Sequence, residues 1–84
     1  MFIYSVDNIL FIHSDSIIKK GKIKIIDFKG NVVKKLKMEN KDYAAFLLDI
    51  PAGKYKVDLS ASDKNTVKHI FINNSNKTAI ETND

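Results

Sequence analysis

The sequence predicts an all-β fold, an antiparallel β-sandwich or small barrel of about seven short strands. Three observations carry this. The dominant hydropathy period is two: Lys22-Ile23-Lys24-Ile25, Lys35-Leu36-Lys37-Met38 and Lys54-Tyr55-Lys56-Val57-Asp58-Leu59 all alternate polar and apolar residues, as a strand with one wet face does. β-Branched and aromatic residues fill the same runs, and such side chains suit a pleated, half-buried surface. Turn chemistry separates the runs at roughly 8–12 residues, the spacing of sandwiches and barrels. No window holds an apolar stripe at i, i+3 and i+4, so almost no helix is expected.

The first strand is expected near 2–6, closed by the Asp7-Asn8 turn. A second follows at 9–13. Segment 14–20, Ser14-Asp15-Ser16-Ile17-Ile18-Lys19-Lys20, reads as a loop or a short helical turn. Strands at 21–28 and 31–38 flank the turn Asp27-Phe28-Lys29-Gly30. The run Tyr43 to Leu48 could make two helical turns, but Pro51 and Gly53 follow closely and the run is shorter than the ~10–12 residues that favour a helix. It reads as a strand at 43–49. The Pro51-Ala52-Gly53 turn leads to a strand at 54–60, and the polar stretch Ser60 to Asn65 leads to the last, at 66–73. Residues 1–73 form a single β-sandwich domain on this reading, and 74–84 form a polar C-terminal tail.

Parity assigns the core. Leu10, Ile12, Ile23, Ile25, Leu36, Met38, Phe46, Leu48, Ile50, Tyr55, Val57, Leu59, Ile70 and Ile72 share the inward face. Lys22, Lys24, Lys35, Lys37, Lys54, Lys56 and Asp58 take the outward one. Slipping any strand by one residue would bury lysines, so register is strongly specified. The lysines also guard the sheet edges.

Length and composition exclude several classes. The chain has 84 residues, a net charge of +4 and no cysteine. It holds one domain, with neither a disulfide framework nor a Cys-based zinc site. The apolar runs are far shorter than the ~20 residues of a membrane helix, so no membrane span is expected. All 14 cations are lysines, whereas bidentate readout of guanine or phosphate favours Arg. The 12 Ile, 14 Lys and eight Asn match a chain encoded by AT-rich codons, a simpler source for the charge than nucleic-acid binding. Met1-Phe2-Ile3-Tyr4 lacks the basic start of a signal peptide and meets Asp7 before an apolar region is complete. This suits a cytoplasmic chain, or a mature or excised domain with an added Met.

No catalytic, metal or cofactor site is expected. His13 and His69 fall on outward parity, as solvated strand histidines do. Ser60-Ala61-Ser62-Asp63 places a hydroxyl beside a carboxylate, but without a nearby base or a Gly-x-Ser-x-Gly elbow it reads as a polar hairpin loop. Asp27, Asp49 and Asp58 lack the apolar pocket that would separate their pKa values for acid–base work. The Asn73-Asn74-Ser75 and Asn76-Lys77-Thr78 sequons are expected by chance in an Asn-rich stretch. Candidate partner-binding residues are Lys35 and Lys37, neighbours of Lys22 and Lys24 across a hairpin, and the outward Phe11 and Phe71, whose exposure on one sheet would make a sticky patch.

Three motifs give the chain a family likeness. The first is Lys22-Ile23-Lys24-Ile25-Ile26-Asp27-Phe28-Lys29-Gly30-Asn31-Val32-Val33. The second is Leu48-Asp49-Ile50-Pro51-Ala52-Gly53-Lys54-Tyr55-Lys56-Val57. The third is Lys68-His69-Ile70-Phe71-Ile72. In order and spacing, residues 4–73 resemble the C-terminal sorting domain (type A) of the type IX secretion system. The family's opening Pro-Asn-Pro turn has no counterpart at Ser5-Val6-Asp7-Asn8. The resemblance implies an immunoglobulin-like antiparallel β-sandwich, a protein partner in a secretion or attachment machine, and a secreted or cell-surface location. It also marks Gly30, Pro51, Gly53 and Tyr55 as structural turn residues. An alternative is a small exported interaction or adhesin module that uses the Phe11 and Phe71 face or an open edge. An OB-like nucleic-acid binder would need aromatics among the lysines, but Tyr55 lies on the opposite face from Lys54 and Lys56.

Overall fold

The computed structural model describes residues 1–62 and 64–73. The expected tail at 74–84 lies outside the described residues. Five strands form one antiparallel sheet: β1 (Phe2–Val6), β2 (Ile9–Asp27), β3 (Val32–Leu47), β4 (Gly53–Ala61) and β5 (Lys64–Ile72).

β2 is the spine. Its first half pairs with β1, from Phe2↔His13 to Val6↔Ile9. Its second half pairs with β4, from Gly21↔Ala61 to Asp27↔Tyr55. On its other side β3 accompanies it along nearly the whole length, and β5 completes the order beyond β4. The sheet curls until its outer members meet. Ser5 Oγ donates to the Phe71 carbonyl at 2.7 Å, and Asn73 N–H donates to the Asp7 carbonyl at 2.9 Å.

This corrects the expectation of about seven strands in a sandwich to a curled, five-stranded half-barrel. The runs expected at 9–13 and 21–28 are both parts of β2, which ends at Asp27, and those expected at 31–38 and 43–49 are both parts of β3, which starts at Val32 and ends at Leu47. Segment 14–20 is extended, neither loop nor helical turn. The physical reason is a bend that does not break the chain. Register slips between His13 and Ile18 on β2, where residues 14–17 face only Asp42 of β3. Such a bulge bends and twists a strand without ending it. Asn40 sits at the same corner of β3 with φ 53°, a conformation that Asn tolerates better than most residues. The polar cluster at Ser14-Asp15-Ser16 therefore marks a corner.

The core lines the inside of the curl. Ile3, Leu10, Ile12, Ile18, Ile23, Ile25, Met38, Ala44, Leu48, Ile50, Tyr55, Val57, Leu59, Ile70 and Ile72 form one buried cluster, with Leu36 and Phe46 packed against it. Parity found most of this set and missed Ile3, Ile18 and Ala44. Buried parity changes along β2, from Leu10, Ile12 and Ile18 to Gly21, Ile23 and Ile25, because the corner reorients the strand. Each fully buried aliphatic side chain contributes ~1.5–3 kcal/mol. Gly21 sits where a Cβ would lie 3.0 Å from Ile18 Cγ2 and 3.3 Å from both Leu59 Cδ1 and the Met38 carbonyl. A Cβ here would require its neighbours to give by a few tenths of an ångström.

Candidate recognition surface

Two turns fix the strands that carry the outer surface. At the first, the β2–β3 hairpin, the Asp27 carboxylate accepts from Lys29 N–H (2.9 Å) and Asn31 N–H (2.8 Å) through Oδ1. Asn31 Nδ2 adds a contact to Oδ2 at 3.4 Å. Gly30 N–H donates to the Asp27 carbonyl at 3.0 Å. Gly30 takes φ 91°, which a side chain would strain. The Asn31 backbone bond, helped by the Asn31 side chain and by the Lys29 amide and charge, holds the Asp27 carboxyl below its usual range. At the second turn, Gly53 takes φ 155°, and the Tyr55 hydroxyl donates to the Pro51 carbonyl at 2.6 Å. A tyrosine returning to backbone a few residues upstream is also how Greek-key sandwiches close a corner. Burial, followed by the Asp27 charge, pushes the Tyr55 phenol above its usual pKa.

Between these turns lies a cationic face. Pairing puts Lys22 directly opposite Lys37, and Lys24 directly opposite Lys35. Across the other side of β2, Lys24 faces Asp58 and Lys22 faces Ser60. Lys54 and Lys56 extend the face on β4, opposite Phe71 and His69 of β5. Among the described residues none of these lysines has a carboxylate within salt-bridge distance; the ion pair found there joins the Met1 amine and Asp15 at 3.6 Å. Asp58 engages a neutral neighbour: the Asn65 amide, oriented to donate, reaches Asp58 Oδ1 at 2.6 Å. Like charges directly opposite in a sheet destabilise by some tenths of a kcal/mol per pair. Lys35 and Lys37 thus join Lys22 and Lys24 in one quartet without a salt bridge among the described residues, with Asp58 opposite Lys24 as the neighbouring carboxylate.

Phe11 lies on β2, opposite Tyr4 of β1, and Phe71 lies on β5, where its carbonyl accepts from Ser5 of β1. Phe11 is half-buried and its ring stacks on Tyr4 at 5.2 Å. Phe71 is exposed on β5 beside Lys54, in an open groove with Ile26, Phe28 and His69. No group of three or more His, Cys, Asp or Glu side chains that could hold a metal ion forms among the described residues. His69 is solvated, but His13 is not a free strand histidine. Its ring lies parallel to Tyr4 at 5.8 Å and tilted against Tyr43 at 4.7 Å, and the Tyr4 hydroxyl is 3.3 Å from Nε2.

Sequence reading missed the surface this belongs to. The outer side of β1, the first half of β2 and the end of β3 carries Phe2, Tyr4, Val6, Ile9, Phe11, His13, Tyr43, Ala45 and Leu47, without one charged residue. Its signal was present in the sequence. These three runs are apolar at both parities, unlike the lysine-alternating strands.

Fold and surface define a small all-β domain with an exposed lysine-rich face and an uncharged outer face. The family model described as the secretion system C-terminal sorting domain matches residues 6–73. The chain belongs to this family, whose type IX members occur on secreted or cell-surface proteins. No curated protein and no solved structure matches the chain. No helix among the described residues is long and apolar enough to cross a membrane.

Proposed function

We propose that the chain acts as an export signal whose cationic face is read by an acidic surface of the secretion machinery. Lys22, Lys24, Lys35 and Lys37 make the primary contact, and Lys54 and Lys56 extend it. The carrying observation is the pair of cross-strand lysine–lysine registers, in which no lysine has a carboxylate within salt-bridge distance among the described residues. A complementary acidic surface would relieve the repulsion and speed encounter by electrostatic steering. Gly30, Pro51, Gly53 and Tyr55 act indirectly, by fixing the hairpins that hold the lysines. Family membership supports the sorting role.

The test fuses residues 1–84 to a signal peptide and a reporter in a type IX-competent host. The unaltered fusion is expected at the surface or in the medium. A Lys22→Gln/Lys24→Gln/Lys35→Gln/Lys37→Gln fusion is expected to stay in the periplasm, with its circular dichroism unchanged. Retention of the unaltered fusion would refute the sorting role. Full export of the quadruple variant would refute the cationic face.

A further inference from the structure

Among the described residues β3 pairs with β2 on one side and with no strand on the other. Proteins blunt such free edges with lysines, prolines or bulges. The first part of this edge is blunted by Lys34, Lys35, Lys37 and Lys41. The last part is not. Tyr43-Ala44-Ala45-Phe46-Leu47 has no charge, Pro or Gly, and it runs in unbroken register against β2 from His13↔Tyr43 to Ile9↔Leu47. Leu48 N–H donates to the Asn8 carbonyl at 2.8 Å, so residues 44, 46 and 48 turn their peptide groups towards β2. By strand alternation, Tyr43, Ala45 and Leu47 turn theirs to the open side.

We propose that this edge is a self-association seam, in which two copies of the chain pair 43–47 antiparallel about a two-fold axis at Ala45. Charge and backbone select this register. Centred on Ala45, Tyr43 meets Leu47 of the second copy, and Lys41 meets Asp49 of the second copy at each end. All four positions are exposed. A centre at Tyr43 runs the ladder into the left-handed Asn40. A centre at Leu47 brings in Pro51, which has no N–H to give. The chosen register forms about six new N–H···O bonds. It also joins the two uncharged outer faces across six strands, ~24 Å between the outermost strands at ~4.8 Å spacing. The contact is isologous and closes on itself, so it forms dimers and not fibres. A short edge buries less than the ~800 Å² per partner of a standard interface, which makes the dimer weak and concentration-dependent. The seam lies apart from the lysine quartet and does not depend on the export reading.

Sedimentation of the full 84-residue chain from about 10 μM to about 1 mM tests it. A reversible monomer–dimer equilibrium is expected. Ala45→Lys, at an exposed outward position, should raise the dimer Kd about fivefold or more while the melting curve stays put, since two ammonium groups then meet at the axis. Lys41→Asp and Asp49→Lys should each weaken the dimer, and the two together should restore it. A monomer at every concentration, a dimer indifferent to Ala45→Lys, or a double variant weaker than both singles would overturn the proposal.

Discussion

Replacing Tyr55 by Phe removes one hydroxyl from the corner that closes the Pro51–Gly53 turn. The ring is 8% exposed and stays buried in the variant, so the change isolates the hydrogen bond to Pro51. A bond of this kind contributes ~0.5–1.5 kcal/mol net. Pro51 is exposed, so water can replace the lost donor, and the lower half of that range applies at neutral pH. For a domain of this size ~1 kcal/mol corresponds to a fall of ~4–8 °C in Tm, so a drop of a few degrees is expected. Alkali adds a second signature. Burial and the Asp27 charge raise the phenol's folded pKa above its unfolded value, so the native state favours the protonated form. This contribution is intact below about pH 10 and is lost as pH rises through the elevated folded value. Phe has no proton to lose. The gap between wild type and Tyr55→Phe, measured by thermal melts at stepped pH, should therefore be constant near neutrality and shrink above about pH 10. Equal Tm values at neutral pH, or a gap that does not change in alkali, would refute the reasoning.

Other substitutions probe the remaining parts. Ile23→Ala should cost ~2–5 kcal/mol in urea unfolding, as a cavity in a fully buried layer does, whereas its neighbour Lys22→Ala should stay within ~0.5 kcal/mol. Gly21→Val should destabilise by ~1–3 kcal/mol, because its Cβ meets Ile18 and the Met38 backbone and cannot be accommodated without a shift. Asp27→Ala should lower the urea midpoint at pH 7, since three donors lose their acceptor. The Asp27 pKa is depressed on folding, so its contribution is present above about pH 4 and lost as pH falls through the folded value; wild type and variant should converge in acid.

The sequence made the second half of the sheet easy to read and the first half hard. Lys22 to Ile25 and Lys54 to Leu59 alternate strictly because one side faces water and the other the core, so parity and burial agree residue by residue. Around Ser14 to Ile17 and Asn40 the polar residues looked like turns, yet they bend two continuous strands. Local chemistry does not distinguish a bulge from a loop when the pairing partner is distant in sequence. Ala44, Ile3 and Ile18 escaped the core assignment because their runs are apolar at both parities or lie at the corner. The lysine neighbours were legible as a group, but their direct opposition required the register.

Position on the sheet, as distinct from net charge, is the central point of the recognition account. The most direct measurement compares two fusions that each lose four positive charges. One replaces Lys22, Lys24, Lys35 and Lys37 with Gln. The other replaces Lys29, Lys34, Lys64 and Lys68, which lie in the turn or at positions opposite Ile25, Ala61 and Val57. Export of the reporter should fail for the first and persist for the second. Equal loss in both, or export retained by the first, would contradict the assignment of the signal to that face.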